Sequence, residues 1–182
     1  MEINKKELKI EILNKNHELS TFSSTDPELN EFLKNDALIQ LEKKLNVTYV
    51  ILYKNEIIAY FSILADKIKL KDISNIDKSI KNDYTSFPAI KLGRFAVSKK
   101  YQNQGIGTYT FGEIVWNIKE FSKKLGVRFI TVNAYASALG FYVDKNNFDI
   151  YTKEKYKIKN IHKIIKHEPN RSISLYKDIM KI

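Results

Sequence analysis

The chain has 182 residues, 43% hydrophobic and 29% charged, with only 6 Gly and 3 Pro, a composition that suits one domain with a single substantial core and excludes collagen-like, low-complexity and largely disordered chains. It has no Cys, which excludes a disulfide framework, a thiolate zinc site, an iron–sulfur cluster and a cysteine nucleophile, and fits a reducing cytoplasm. The excess of 31 basic over 21 acidic residues, a net +10, attracts anions such as nucleic acid, a phosphorylated cofactor or an anionic membrane, but only Arg94, Arg128 and Arg171 are arginines. Lysine binds phosphate as a point charge and reads guanine edges poorly, so sequence-specific DNA recognition is disfavoured.

The first ten residues, MEINKKELKI, contain no apolar stretch of signal-peptide type, and the apolar run Val47–Ala65 is broken by Lys54, Asn55 and Glu56. Neither export nor a membrane span is expected.

Along the chain, Leu8–Leu13 alternates apolar and polar residues and is expected to form the first strand. Asp26-Pro27-Glu28 supplies a cap, a first-turn proline and a first-turn acid, and Leu29, Phe32, Leu33, Ala37, Leu41 and Leu45 continue at helical spacing to about Asn46. Val47–Tyr53 and Ile57–Leu64, rich in β-branched and aromatic residues and separated by Lys-Asn-Glu, predict an antiparallel hairpin. Asp66–Tyr84 is lysine-rich and poorly patterned, as a surface connection with some helix would be. Pro88–Val97 is a central-strand candidate leading into the loop Ser98–Thr108. In the helix that follows, Ile114, Val115, Ile118, Phe121 and Leu125 mark one face and Gly126 a C-cap. Val127–Ala134 predicts a strand, Ser137–Asn146 a short helix and Arg171–Lys177 a last strand. The order β, α, ββ, β, α, β, α, β predicts an α/β fold with a mixed sheet of about six to seven strands flanked by helices. The basic segment 151–170 allows a hairpin or an extended arm.

Gln102-Asn-Gln-Gly-Ile-Gly107 lies between a predicted strand and a predicted helix, where backbone N–H groups converge at the positive end of the helix dipole and can hold an anion. It is not a Walker loop, since Gly107-Thr108 lacks the Lys-Ser/Thr ending, and without a third glycine it is not a Rossmann fingerprint. An isolated pair of glycines also fits a plain capped turn. His17, His162 and His167 are expected on solvated surface, and no metal-ligand spacing or Ser/His/Asp set is present.

With its sequence context, Gln102–Gly107 resembles the Q/R-x-x-G-x-G/A signature of the GNAT superfamily of acyl-CoA-dependent N-acyltransferases. Leu92-Gly-Arg-Phe-Ala-Val97 resembles that family's preceding strand, Val127–Ala134 the next one, and Ala138-Leu-Gly-Phe-Tyr142 with Phe148 its A-x-x-F-Y…G-F segment; Asn147 stands where the family often has Gly and keeps tolerance for a left-handed backbone. The resemblance implies acetyl-CoA as cosubstrate and no metal. It implies pantetheine pairing with the backbone of Phe95, Ala96 and Val97, and pyrophosphate on the amides of Gln102, Asn103, Gln104, Gly105, Ile106, Gly107 and Thr108. Asn133 would reach the pantetheine or acyl region, an amide near Val97 would polarise the thioester carbonyl, and Tyr142 would be the general acid that protonates the departing thiolate.

Within the superfamily the chain is most similar to toxins that acetylate the amino acid of charged tRNA, through Phe22, Leu29-Asn-Glu-Phe-Leu33, Ala37, the Leu92–Val97 strand and Ala138–Tyr142. That likeness implies charged tRNA as acceptor and an antitoxin protein as partner, with a homodimer left open. It agrees with the lysine-weighted charge and with the low pKa of α-amines, about 7.7 to 8.0, which need no strong base. Arg94 and the lysines of Lys153–Lys166 are the candidate tRNA contacts, a structural ion pair being the other role for Arg94. Acetylation of a small amine, a peptide N-terminus or a protein lysine stays open as an alternative, as does a nonenzymatic nucleic-acid-binding module.

Overall fold

The structure is a computed structural model that describes residues 3–74, 76, 84–155 and 161–182. Seven strands form one sheet in the order β1-β2-β3-β4-β5-β7-β6: β1 Lys9–Ile12, β2 Val47–Tyr53, β3 Glu56–Lys69, β4 Ser86–Val97, β5 Phe129–Tyr135, β6 Asp149–Ile150 and β7 Ser172–Asp178. The helices are α1 Pro27–Glu31, α2 Ala37–Glu42, α3 Ile106–Ser122, α4 Thr152–Lys155 and α5 Ile161–His167. The chain divides into two compact units, Met1–Leu64 with Leu92–Phe121, and Ala65–Lys91 with Ser122–Ile182.

In the first unit, β1 pairs antiparallel with β2, and β2 with β3, from Val47↔Ile63 to Tyr53↔Glu56. The hairpin closes in two residues because Lys54 and Asn55 both take left-handed conformations (φ 50° and 65°), which matches the twist of the flanking strands. Asp26 caps α1 by accepting from the Glu28 N–H, with Pro27 opening the helix. The helical stretch does not run to Asn46. A π-helical turn at Phe32–Asp36 separates α1 from α2, which ends at Glu42.

The core of this unit gathers Leu13, Phe22, Phe32, Leu33, Val50, Leu52, Tyr60 and Ala96. The fully buried Tyr60 centres it. Its ring meets Phe22 edge-on at 5.4 Å and stacks on Phe32 at 6.1 Å, and its hydroxyl donates to the Leu29 carbonyl at 2.8 Å. One side chain thereby ties α1 and the π turn to the sheet. In α3, Ile106, Phe111, Ile114, Val115 and Ile118 are buried at helical spacing, but Phe121 and Leu125, expected on that face, are 48% and 55% exposed. The helix ends at Ser122, and Gly126 keeps a negative or extended φ, so it is not a left-handed cap.

In the second unit, β5 pairs antiparallel with β7 from Phe129↔Asp178 to Tyr135↔Ser172, and the two-residue β6 adds to β7. The core here is Ile68, Ile73, Phe87, Ala89, Phe129, Tyr151 and Tyr176. The expected connection Asp66–Tyr84 begins as strand, since β3 runs to Lys69 and is followed by a 3-10 turn at Leu70–Asp72; 75 and 77–83 lie outside the described residues. Segment 151–170 is no hairpin where it is described: it forms the short helices α4 and α5, and 156–160, with the expected Tyr156 and Ile158 positions, lie outside the described residues. Among the described residues no helix is long and apolar enough to cross a membrane.

The Tyr60 hydroxyl generates a prediction. Tyr60→Phe removes the bond to Leu29 and lowers the unfolding free energy by about 1 kcal/mol, measured by urea denaturation at neutral pH. Burial pushes the Tyr60 phenol well above its ordinary range. Its contribution is therefore complete below the unfolded tyrosine value of about 10 and is lost as pH rises further, a loss that Tyr60→Phe abolishes.

Candidate active site

The first unit brings together Arg94, Phe95, Ala96, Val97 and the loop Gln102–Thr108. β4 is extended to Val97, and the Ser98 N–H then donates to the Ile58 carbonyl at 2.8 Å. A 3-10 turn at Lys99–Tyr101 follows, and the chain turns into α3 through two left-handed residues, Asn103 (φ 60°) and Gly105 (φ 76°). The first α-helical bond runs from the Tyr109 N–H to the Gly105 carbonyl, 3.0 Å. The amides of Ile106, Gly107 and Thr108 precede it and have no partner within the helix, so they face outward at the positive end of a helix of 17 residues.

The two glutamines brace this loop with their side chains. Gln102 Nε2 donates to the Val97 carbonyl at 3.0 Å and Gln104 Nε2 to the Lys100 carbonyl at 3.0 Å. Their side chains are committed to the loop itself, which leaves its main-chain amides as the anion donors. Among the described residues, a Cβ on Gly105 would find only Lys5 Nζ within 4 Å, at 3.7 Å. Apart from Lys5 the space beside this glycine is open among the described residues, and the outward amides around it suit an anion.

Three residues that sequence reasoning missed hold the loop from behind. Tyr101 Oη donates to Glu56 Oε2 at 2.7 Å and Lys100 Nζ to the same oxygen at 2.9 Å. The Tyr101 hydrogen bond first, and then Lys100, keep the Glu56 carboxyl below its ordinary range. The only signal for Glu56 was its place in the Lys-Asn-Glu turn, which indicates a hairpin and nothing more.

Arg94 is engaged in the ion pair foreseen as its other role. Its guanidinium lies 3.6 Å from Glu28 Oε1 and 5.1 Å from the centre of the Phe32 ring, and donates to the Gly93 carbonyl at 2.9 Å. Its buried Nε has no hydrogen-bond partner among the described residues. His17, expected on solvated surface, is instead a structural residue with a side chain 9% exposed. It accepts from the Asn14 N–H through Nδ1 at 3.0 Å and lies 3.4 Å from Glu11. His162 and His167 are exposed.

The second unit holds Asn133 and Tyr142. Asn133 is an exposed residue of β5 in register with Ser174. Tyr142 lies in a π-helical turn, Gly140–Lys145, preceded by a 3-10 turn at Ala136–Ala138, where the sequence predicts a single short helix. Its ring is 7% exposed and meets Phe141 edge-on at 5.1 Å and Phe148 at 5.5 Å. Burial pushes the phenol well above the ordinary tyrosine range, which keeps it protonated at neutral pH. Asn147 takes the left-handed conformation expected of it (φ 53°), and the Phe148 N–H donates back to the Tyr142 carbonyl at 3.0 Å. Among the described residues no group of three or more His, Asp or Glu could hold a metal ion.

A glycine turn at the head of a long helix, entered from a central strand of an α/β sheet, presents main-chain amides of the kind that bind anions. The sequence profile of the acetyltransferase (GNAT) family matches residues 11–148, about three quarters of the chain, and the chain belongs to that family: it is an acetyl-CoA-dependent N-acetyltransferase. It is 24% identical over 127 residues to a tRNA-acetylating toxin of Mycobacterium tuberculosis (strain ATCC 25618 / H37Rv), covering 69% of this chain and 75% of that protein. Its fold matches AtaT complexed with acetyl-methionyl-tRNAfMet, with a TM-score of 0.78 at 18% identity over 96% of both chains. It also matches the AtaT toxin bound to the C-terminus of the antitoxin AtaR and acetyl-CoA, with a TM-score of 0.70 at 19% identity over 96% of this chain and 94% of that one.

The brace at Gln102 is testable. Gln102→Glu removes the donor to Val97 and lowers acetyl-CoA affinity by about tenfold, the worth of one hydrogen bond that orders the loop, as read by calorimetric titration. Gly105→Val, which strains a residue at φ 76° and fills the open space, weakens binding further than Gly105→Asn, because Asn tolerates that φ.

Proposed function

We propose that the protein transfers the acetyl group of acetyl-CoA to the α-amine of an amino acid esterified to tRNA. The observation that carries this reading is the match to a tRNA-acetylating toxin over 69% of the chain, in a protein whose net charge of +10 comes almost wholly from lysine. Lysines can hold a phosphodiester backbone with little sequence readout. By the same likeness we assign an antitoxin protein as a partner, since AtaT is a toxin seen with its antitoxin AtaR.

Acetyl-CoA supplies an activated acetyl thioester. In our reading the amides of Asn103–Thr108 hold its diphosphate, the expected Gln102 N–H being bonded instead to the Lys99 carbonyl at 3.4 Å; the backbone of Phe95–Val97 aligns its pantetheine as an added strand would, and Asn133 contacts the pantetheine or acyl region. An amide near Val97 donates to the thioester carbonyl oxygen. The neutral amine nitrogen attacks the acetyl carbon, the C–N bond forms and the C–S bond breaks. Tyr142 donates its phenolic proton to the departing sulfur, and the proton lost from the attacking nitrogen returns to Tyr142 through solvent. Burial keeps Tyr142 in the proton-donor form. With an α-amine of pKa about 7.7 to 8.0, a useful fraction of the acceptor is neutral at pH 7 without a dedicated base. Arg94, whose side chain is 39% exposed beside Glu28, is the candidate contact to the acceptor.

Tyr142→Phe keeps the ring and removes the proton, so kcat falls by roughly 10² or more while acetyl-CoA affinity stays within twofold, measured by steady-state kinetics alongside calorimetry. In the wild type, kcat/KM rises with pH through the acceptor amine and shows no alkaline decline below about pH 10, because the Tyr142 phenol is held above its ordinary value.

The acceptor is identified by incubating charged and deacylated tRNA with the enzyme and labelled acetyl-CoA, then digesting and analysing the product. Label is expected as N-acetyl-aminoacyl ester from charged tRNA alone, and KM for charged tRNA is expected to rise on the order of tenfold or more between about 50 and 200 mM salt. Efficient labelling of a free amine, a peptide or a protein lysine, with unlabelled tRNA, would replace this reading.

A further inference from the structure

Among the described residues, Lys5 is the one side chain within 4 Å of the position a Cβ on Gly105 would occupy, with Nζ at 3.7 Å. The sheet explains how a residue near the start of the chain reaches that loop. β1 begins at Lys9, which pairs with Leu52 near the end of β2; β2 turns at Lys54-Asn55 into β3, and the Ser98 N–H, just past β4, bonds to Ile58 near the start of β3. The residues before Lys9 therefore emerge at the sheet end where β4 gives way to the loop.

The segment is built to stay there. Asn4 caps a 3-10 turn at Lys5–Glu7, with its Oδ1 accepting from the Lys6 N–H at 3.1 Å and its carbonyl from the Glu7 N–H at 3.0 Å. Ile3 is 9% exposed and lines, with Tyr53, Tyr101 and Gln104, a concavity of about 390 Å³. Lys100, which flanks the same concavity, is committed to Glu56 at 2.9 Å, whereas Lys5 has no carboxylate partner among the described residues.

We propose that the N-terminal turn is a strap over the cofactor site and that Lys5 binds a phosphate of coenzyme A. The proposal rests on the reading that the diphosphate lies on the Asn103–Thr108 amides. Those amides are neutral donors, and the ammonium of Lys5 adds the full positive charge that a dianionic ligand attracts. Coenzyme A offers two such groups, the diphosphate and the 3′-phosphate.

The test is calorimetric titration of acetyl-CoA and of 3′-dephospho-CoA into the full chain as wild type, Lys5→Ala and Lys5→Arg, at about 50 and 200 mM salt, with thermal melting of each unliganded protein. Lys5→Ala is expected to weaken acetyl-CoA about tenfold at the lower salt, Lys5→Arg to restore most of that loss, the gap to narrow at the higher salt, and the melting temperature to stay unchanged. A loss seen equally with 3′-dephospho-CoA assigns Lys5 to the diphosphate; a loss confined to acetyl-CoA assigns it to the 3′-phosphate. Affinity of Lys5→Ala within twofold of wild type for both ligands would overturn the proposal, as would a loss that Lys5→Arg does not restore. Wild type with no affinity for acetyl-CoA would bring down the loop placement itself and the strap with it.

Discussion

The first unit depends on a single change of backbone direction. An extended strand must become a helix within a few residues and still leave the first helical amides facing outward, and the chain does this with Asn103 and Gly105 in the left-handed region. On either side of the turn the chain is held in the core, with Ala96 5% and Ile106 1% exposed. The turn itself is fastened by Gln102 to Val97 and by Gln104 to Lys100. From behind, Glu56 takes hydrogen bonds from Tyr101 and Lys100. Donors fixed before a ligand arrives need not be ordered by it, which suits this turn to the diphosphate-binding role we propose for it.

The second unit solves the opposite problem, holding one polar group in an apolar place. Phe141 and Phe148 fix the Tyr142 ring by edge contacts, and the surrounding turn is tied down by its own polar groups. Asn146 donates to the Phe141 carbonyl at 2.7 Å, and Lys177 of β7 donates to the Asn146 carbonyl at 2.8 Å. Next to Lys177, at the end of β7, Arg128 clamps Asp178, with Nη2 2.9 Å from Oδ2. A phenol desolvated in this way is a reservoir of one proton at neutral pH, and a π-helical turn in place of a regular helix is a feature frequent at functional sites.

Much of this was legible in the sequence because it is local. Asp26-Pro27 announces a helix start, β-branched runs announce β2 and β3, and Gln102–Gly107 announces the turn from strand to helix. What was hidden depends on residues distant in sequence or on small changes in helical pitch. No periodicity separates the π turns at Phe32–Asp36 and Gly140–Lys145 from ordinary helix. β6 has two residues and depends on pairing with β7, so it carries no signal of its own. Phe121 and Leu125 fit an apolar stripe by spacing, yet α3 passes the end of its buried face at Phe121 and stops at Ser122, before Leu125, and both are exposed. Lys5, a residue in a lysine-rich N-terminus, gains meaning only from the sheet order that brings it to Gly105.

The central claim is that main-chain amides of one turn hold the diphosphate of the cofactor, and amide NMR tests it most directly. In an 15N-labelled protein titrated with acetyl-CoA, the account predicts that the amides of Gly105, Ile106, Gly107 and Thr108 move the most. With acetyl-pantetheine, which lacks the diphosphate, those amides should stay near their unliganded positions while Phe95, Ala96 and Val97 still shift. Saturating acetyl-CoA that moves amides elsewhere and leaves Gly105–Thr108 in place would contradict it.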